Sequence, residues 1–185
     1  MSRSAWVGLG LTVALLLAIT GGVAWWYRHP AVNQAQAKAI EPAIEAYMHK
    51  NAASLDIGGV LDSRLKPQVF CDANIIEITP EGSRYRVGMV LNCGEYARRG
   101  ASLIEGFAGY FISVCDVMIP RGGRHYQVLS LDPGPEGYDP TWVHQNFSAL
   151  AARWVLSPDP PTAPDPASQA WQALGFPAGT PAVQE

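Results

Sequence analysis

The sequence predicts an α+β fold: one N-terminal transmembrane helix, a helix packed on a curled four-stranded antiparallel meander, then a C-terminal amphipathic helix and a flexible tail. Three observations carry this. Residues 5–27 hold no charge and are rich in Leu, Val, Ala and Gly. Apolar side chains recur at three- and four-residue steps over 34–52, and alternate with period two from Val69 towards Leu131.

The apolar run comes first. As a helix its 23 residues reach roughly 34 Å, enough for a bilayer core of about 30 Å. Trp6 at one end and Trp25-Trp26-Tyr27 at the other suit the headgroup zones, and Arg28, His29 and Pro30 end the span. Residues 1–4 then form a cytoplasmic stub. A cleaved signal peptide is the alternative, with Arg3 as its charged start and Gly22-Val23-Ala24 as a small-x-small cleavage site. Cleavage there would leave two Trp and a Tyr at the new N-terminus. Both readings put residues 28–185 outside the cytoplasm, either anchored in the plasma (inner) membrane or released as a periplasmic or secreted protein. A buried soluble helix is the third reading, and 23 uncharged residues exceed what a small core needs.

A chain of 185 residues can bury one substantial core, and 48% hydrophobic against 16% charged residues excludes a wholly disordered chain. Of the 13 Lys and Arg only Arg3 precedes residue 28, so the remainder sets 12 basic against 16 acidic side chains, a net −4. That balance argues against a nucleic-acid partner. Three Lys beside ten Arg, with much Ala, Gly and Pro, suggest a GC-rich bacterial genome.

The body spans residues 28–156. Asn33 with Gln36 reads as an N-cap and capping-box partner, and Ala37, Ile40, Ile44, Tyr47 and Met48 mark one helix face, with Pro42 expected to kink it. Gly58-Gly59 and Pro67 bound a loop with room for one short helical turn. Strands are expected over 69–79, 85–93, 103–119 and 124–131, with turns at Pro80-Glu81-Gly82-Ser83, Arg98-Arg99-Gly100 and Pro120-Arg121-Gly122-Gly123. The third strand is apolar on both faces, so it is central or covered on both sides. Gly88, Gly106 and Gly109 are read as bends that curl the sheet. Trp142, Val143, Phe147, Leu150, Ala151 and Trp154 define one amphipathic helix to about Leu156. Residues 157–185 are expected to be a Pro-rich extended tail with a short docking motif at Trp171, Leu174 and Phe176.

Hairpin geometry selects the cysteine pair. With Gly82 at the first turn, Cys71 faces Cys93, Ala73 faces Leu91 and Ile75 faces Met89, which keeps every apolar odd position on one side. Opposed Cβ atoms lie about 4.5–5.5 Å apart, within reach of a disulfide after local twist, and export makes the bond expected. Two reduced core cysteines are the alternative. If Arg98-Arg99-Gly100 turns the next hairpin, Cys93 faces Glu105 and Cys115 lies ten residues, roughly 33 Å, further along. Cys115 is therefore the free thiol, expected to be buried.

Chemistry is sparse. His29, His49, His125 and His144 form no metal spacing, and no nucleophile elbow or phosphate loop occurs, so neither a metal nor a cofactor is expected. Cys115, Asp116 and His125 fall on neighbouring strands, but the register separates His125 from the thiol. Glu77 and Glu105 fall on core-facing positions, where burial would raise a carboxyl pKa; a bulge is the plainer reading. The meander gathers Arg84, Arg86, Arg121, Arg124 and His125 at one end, a basic rim on an acidic protein.

The anchor over 5–27, the helix over 33–51 and the curled meander over 69–131 together resemble cystatin-like or NTF2-like extracytoplasmic domains, such as those behind one membrane helix in VirB8-like secretion components. The resemblance covers about 120 residues and is one of layout, without a family motif. It implies a non-catalytic assembly or ligand-binding module. The leading expectation is a membrane-anchored envelope protein that binds another protein through the third strand (Ile104, Ala108, Tyr110, Ile112) or through Trp171, Leu174 and Phe176. A small apolar-ligand carrier with a cavity between sheet and helix is the second. An enzyme using Glu105 or His125 is the third.

Overall fold

A computed structural model describes residues 30–55, 57–135 and 139–185. The expected stub (1–4) and the span or signal peptide over 5–27 lie outside the described residues. Among the described residues no helix is long and apolar enough to cross a membrane. What is described is α+β, with four helices and a five-stranded sheet.

Helix α1 (Gln34–Asn51) starts where its cap places it: the Asn33 side chain accepts from the backbone N–H groups of Ala35 and Gln36. Gln36 does not close a capping box; its amide donates to the Tyr126 hydroxyl at 3.2 Å. Pro42 lies within the helix on its exposed side. Ala37, Ile40, Ile44 and Met48 face inward onto Ile75, Val87, Met89 and Leu91.

Strands β1 (Gln68–Glu81), β2 (Arg84–Arg99), β3 (Ser102–Met118) and β4 (Gln127–Asp132) form the antiparallel meander. A fifth strand that the sequence does not suggest, β5 (Ala182–Gln184), runs parallel to β3. The first hairpin has the expected register, with Cys71 opposite Cys93, Ala73 opposite Leu91 and Ile75 opposite Met89.

Two bulges then overturn finer expectations. In β1 an extra residue, Ile76, separates the pairs Ile75–Met89 and Glu77–Gly88. One inserted residue reverses the facing of every later position in the strand. Ile76 is thus buried with the C-terminal helices, and Glu77 leaves the α1 core to accept from the Ser148 N–H at 3.1 Å. In β3, Gly106 and Phe107 together oppose Glu95 alone. The hairpin also turns at Gly100-Ala101, later than expected, which moves the register by three residues; with the bulge adding one, Cys93 faces Gly109 rather than Glu105. Cys115 is six residues from Gly109, roughly 20 Å at about 3.3 Å per residue, and stays unpaired.

The second face of the sheet is covered as well. The single helix expected to Leu156 is two: α2 (Pro140–Asn146), capped by Asp139, and α3 (Ala149–Val155), capped by Ser148. Phe147 is extended between them and drops onto β2 at Gly88, where an added Cβ would lie 2.5 Å from its ring. Gly88 therefore supplies a seat for an aromatic ring, and the curl read into it is not needed.

The expected flexible tail is structural. Asn74 and Asn92 donate to the carbonyls of Thr162 and Pro164 at 2.7 and 2.8 Å, and Ala163 is buried in the helix-covered core. Helix α4 (Ala167–Leu174) comes next. Its Gln169 amide donates to the Cys71 carbonyl and to Asp72. Trp171, Leu174 and Phe176 pack on Phe70, Tyr96 and Leu103. The Arg98 guanidinium stacks over Phe176 at 4.7 Å, and the Arg99–Glu185 ion pair ties the tail's end to β2.

Candidate functional site

Of the chemically distinctive residues, the cysteines come first. Cys71 and Cys93 are disulfide-bonded across β1 and β2, their Cα atoms 4.1 Å apart. A bridge over 22 residues stabilises the fold by about 3 kcal/mol in the chain-entropy account. Cys115 is free and 2% exposed. Burial, with Asp116 adding to it, pushes its thiol pKa up to about 12, so no thiolate nucleophile forms at neutral pH. His125 lies in the exposed β3–β4 connection. The two carboxylates considered for acid–base chemistry also separate: Glu77 holds the start of α3, whereas Glu105 stands beside Tyr96 at the other end of the sheet. Burial raises the Tyr96 phenol pKa, and its hydrogen bond with Glu105 raises it further. Among the described residues no group of three or more His, Cys, Asp and Glu could hold a metal ion.

Among the described residues the one nearly buried carboxylate is Glu95, at the β3 bulge and 2% exposed. Its two oxygens accept from the backbone N–H groups of Gly59, Val60 and Leu61 at 2.9, 2.9 and 3.0 Å. Gly58 and Gly59, at φ +90° and +84°, let the loop turn its amides inward, and a side chain at Gly58 would meet Val69 at 2.9 Å. A cleft of about 480 Å³ opens beside it, rimmed by His49, Lys50 and Gln68. With both oxygens accepting from loop amides, Glu95 clamps the loop to the sheet.

Two surfaces remain for recognition. β2 pairs along one edge of β3, so β4 and β5 share the other. They pair there with Val114–Met118 and Leu103–Glu105, and among the described residues no strand pairs with the stretch between them. The Gly134 backbone after β4 closes on the Ile112 carbonyl, where an added Cβ would lie 2.6 Å away, which leaves 106–111 as the open edge. Phe107 and Phe111 flank this open edge, half-buried, with ring centroids 5.9 Å apart. Tyr110 stands out beside it, 54% exposed. Of the other residues proposed for the third strand's outer face, Ala108 is exposed, whereas Ile112 is covered by α2 and α3 and Ile104 by Leu61 and Leu65. The tail trio Trp171, Leu174 and Phe176 is likewise consumed by internal packing.

The second surface is the basic end, where the β1–β2 turn, the β3–β4 connection and the start of α1 meet. Here Arg84 is neutralised by Glu81 and Asp116 at 3.7 and 3.4 Å, and Arg86 donates to the Asn146 side chain at 2.6 Å. Arg121, Arg124 and His125 remain outward and exposed. Lys38 joins Arg124 and His125 around a groove of about 480 Å³ between α1 and the connection. Lys38 lies on the polar face of α1, and only the turn of the helix beneath the connection brings it to these residues.

No known family model, curated protein or solved structure matches the chain.

Proposed function

We propose that this is a single-pass, membrane-anchored envelope protein whose folded domain lies outside the cytoplasm and binds another protein without catalysis. The observation that carries the binding role is the open edge of β3. An unpaired strand edge is a ready template for an extended segment of a partner, and proteins ordinarily shield such edges. Here the two flanking stretches are paired and residues 106–111 are left open, with Phe107 and Phe111 on one face and Tyr110 on the other to grip alternate side chains. The disulfide and the uncharged run over 5–27 support a place beyond the inner membrane. The carrier reading draws less support. Ile40, Ile44, Met48, Met89 and Leu91, all fully buried, fill the space between α1 and the sheet that a ligand would need.

A photo-crosslinking side chain at position 110, set against the same group at exposed Gln172 on α4, tests the edge in living cells. A discrete adduct is expected at 110 and not at 172. Ala108→Asp, which puts a carboxylate beside the edge, is expected to lower its yield about tenfold, the effect of about 1.4 kcal/mol in affinity. No adduct at 110, or equal adducts at both positions, would contradict the reading.

A further inference from the structure

The open cations of the basic end lie where the chain enters the domain. The N-terminal turn of α1 sits under the β3–β4 connection, joined by the Gln36–Tyr126 hydrogen bond, and Val32 already packs on the core there. The first described residues therefore lie at this end, and in the sequence the uncharged run over 5–27 precedes them. Among the described residues Lys38, Arg121, Arg124 and His125 have no ion-pair partner, unlike Arg84 beside them and Arg99 at the far end. Glu41, a turn along α1 from Lys38, Glu81 and Asp116 are the acids of the neighbourhood, and the last two face Arg84. Ile119 projects from the same connection, 44% exposed beside Arg121.

We infer that this end rests on the membrane surface, with a lipid phosphate seated in the groove between Lys38, Arg124 and His125 and Ile119 entering the headgroup zone. The inference rests on the anchor reading above. Cations grouped around one groove suit a phosphate, and juxtamembrane Lys and Arg are drawn to anionic leaflets. An exposed aliphatic side chain among them suits the boundary between headgroups and acyl chains. Held so, the domain would carry the β3 edge in a constant orientation to the bilayer.

Amide hydrogen exchange of the full chain in nanodiscs tests this. One set of discs is phosphatidylcholine, another an equal mixture with phosphatidylglycerol. Exchange over residues 119–126 is expected to slow about tenfold in the anionic discs alone, and the slowing is expected to vanish in Arg121→Glu/Arg124→Glu. Both changes are on exposed side chains, and unchanged exchange in the β2 core checks that the variant is folded. Equal exchange in the two lipids would overturn the inference. So would protection in neutral discs on adding inorganic phosphate alone, which would make the groove a site for a soluble anion. A chain recovered outside the discs would instead end the anchor reading. The same exchange would then be read on mixing with anionic vesicles, where protection keeps the surface assignment and its absence ends it.

Discussion

Deleting residues 157–185 unfolds the domain. Composition marks this stretch as a tail, yet it supplies Ala163, Ala170, Trp171, Leu174 and Phe176 to two of the hydrophobic clusters. Without it, Phe70, Tyr96 and Leu103 face water, and so does part of the surface around Ile76. At about 1.5–3 kcal/mol for each large apolar side chain returned to solvent, the loss is about 5 kcal/mol, comparable with the whole stability of many domains. Asn74, Asn92 and Arg98 also lose their carbonyl partners at 162, 164 and 174. Thermal unfolding followed by circular dichroism on the full and shortened chains measures this. The shortened chain is expected to aggregate or to show no cooperative transition. A transition within a few degrees of the full chain would mean that the tail is dispensable.

Glu95→Ala produces the next largest effect. The substitution removes the carboxylate that accepts from three amides, those of Gly59, Val60 and Leu61. Hydrogen bonds to a charged group contribute about 1.5–3 kcal/mol each, and water entering from the adjacent cleft recovers part of the loss. A destabilisation of about 3 kcal/mol is expected in chemical denaturation. Fast exchange of the 59–61 amides should accompany it. Glu95→Gln, which keeps one oxygen acceptor, should fall between the two. An alanine variant as stable as the wild type would show that the clamp contributes nothing.

Elements with a regular period are legible in the sequence, and irregular ones are not. Helix α1 and the first hairpin have clean 3.6 and period-two patterns, and the register of that hairpin brings Cys71 and Cys93 together on pattern alone. A bulge has no pattern of its own. One extra residue at Ile76, and another at Gly106-Phe107, put Glu77 and Glu105 on surfaces that strict alternation denies them. Glu95 escapes a reading of the sequence for the same reason, since its role exists only where the bulge and the Gly58-Gly59 loop meet. Signals for the covered second face are present. The third strand is apolar on both sides, Gly88 has no side chain where a ring could seat, and Ser148 is a good N-cap in the middle of an assumed helix. The Pro-rich strap hides the rest, because its contacts are made by carbonyls at 162 and 164 that any sequence would supply. The basic end is half legible: topology gathers the arginines, but only packing shows that Arg84 and Arg86 are spent on Asp116 and Asn146 while Lys38 joins the groove.

Both proposed surfaces presuppose a domain held outside the cytoplasm, and paired C-terminal fusions in a bacterial cell test that location most directly. Alkaline phosphatase matures only beyond the inner membrane, whereas a green fluorescent protein exported unfolded stays dark. The expected result is an active phosphatase fusion that resists an alkaline wash of the membranes, together with a dark fluorescent one. A bright fluorescent fusion with an inactive phosphatase would place the domain in the cytosol and contradict it.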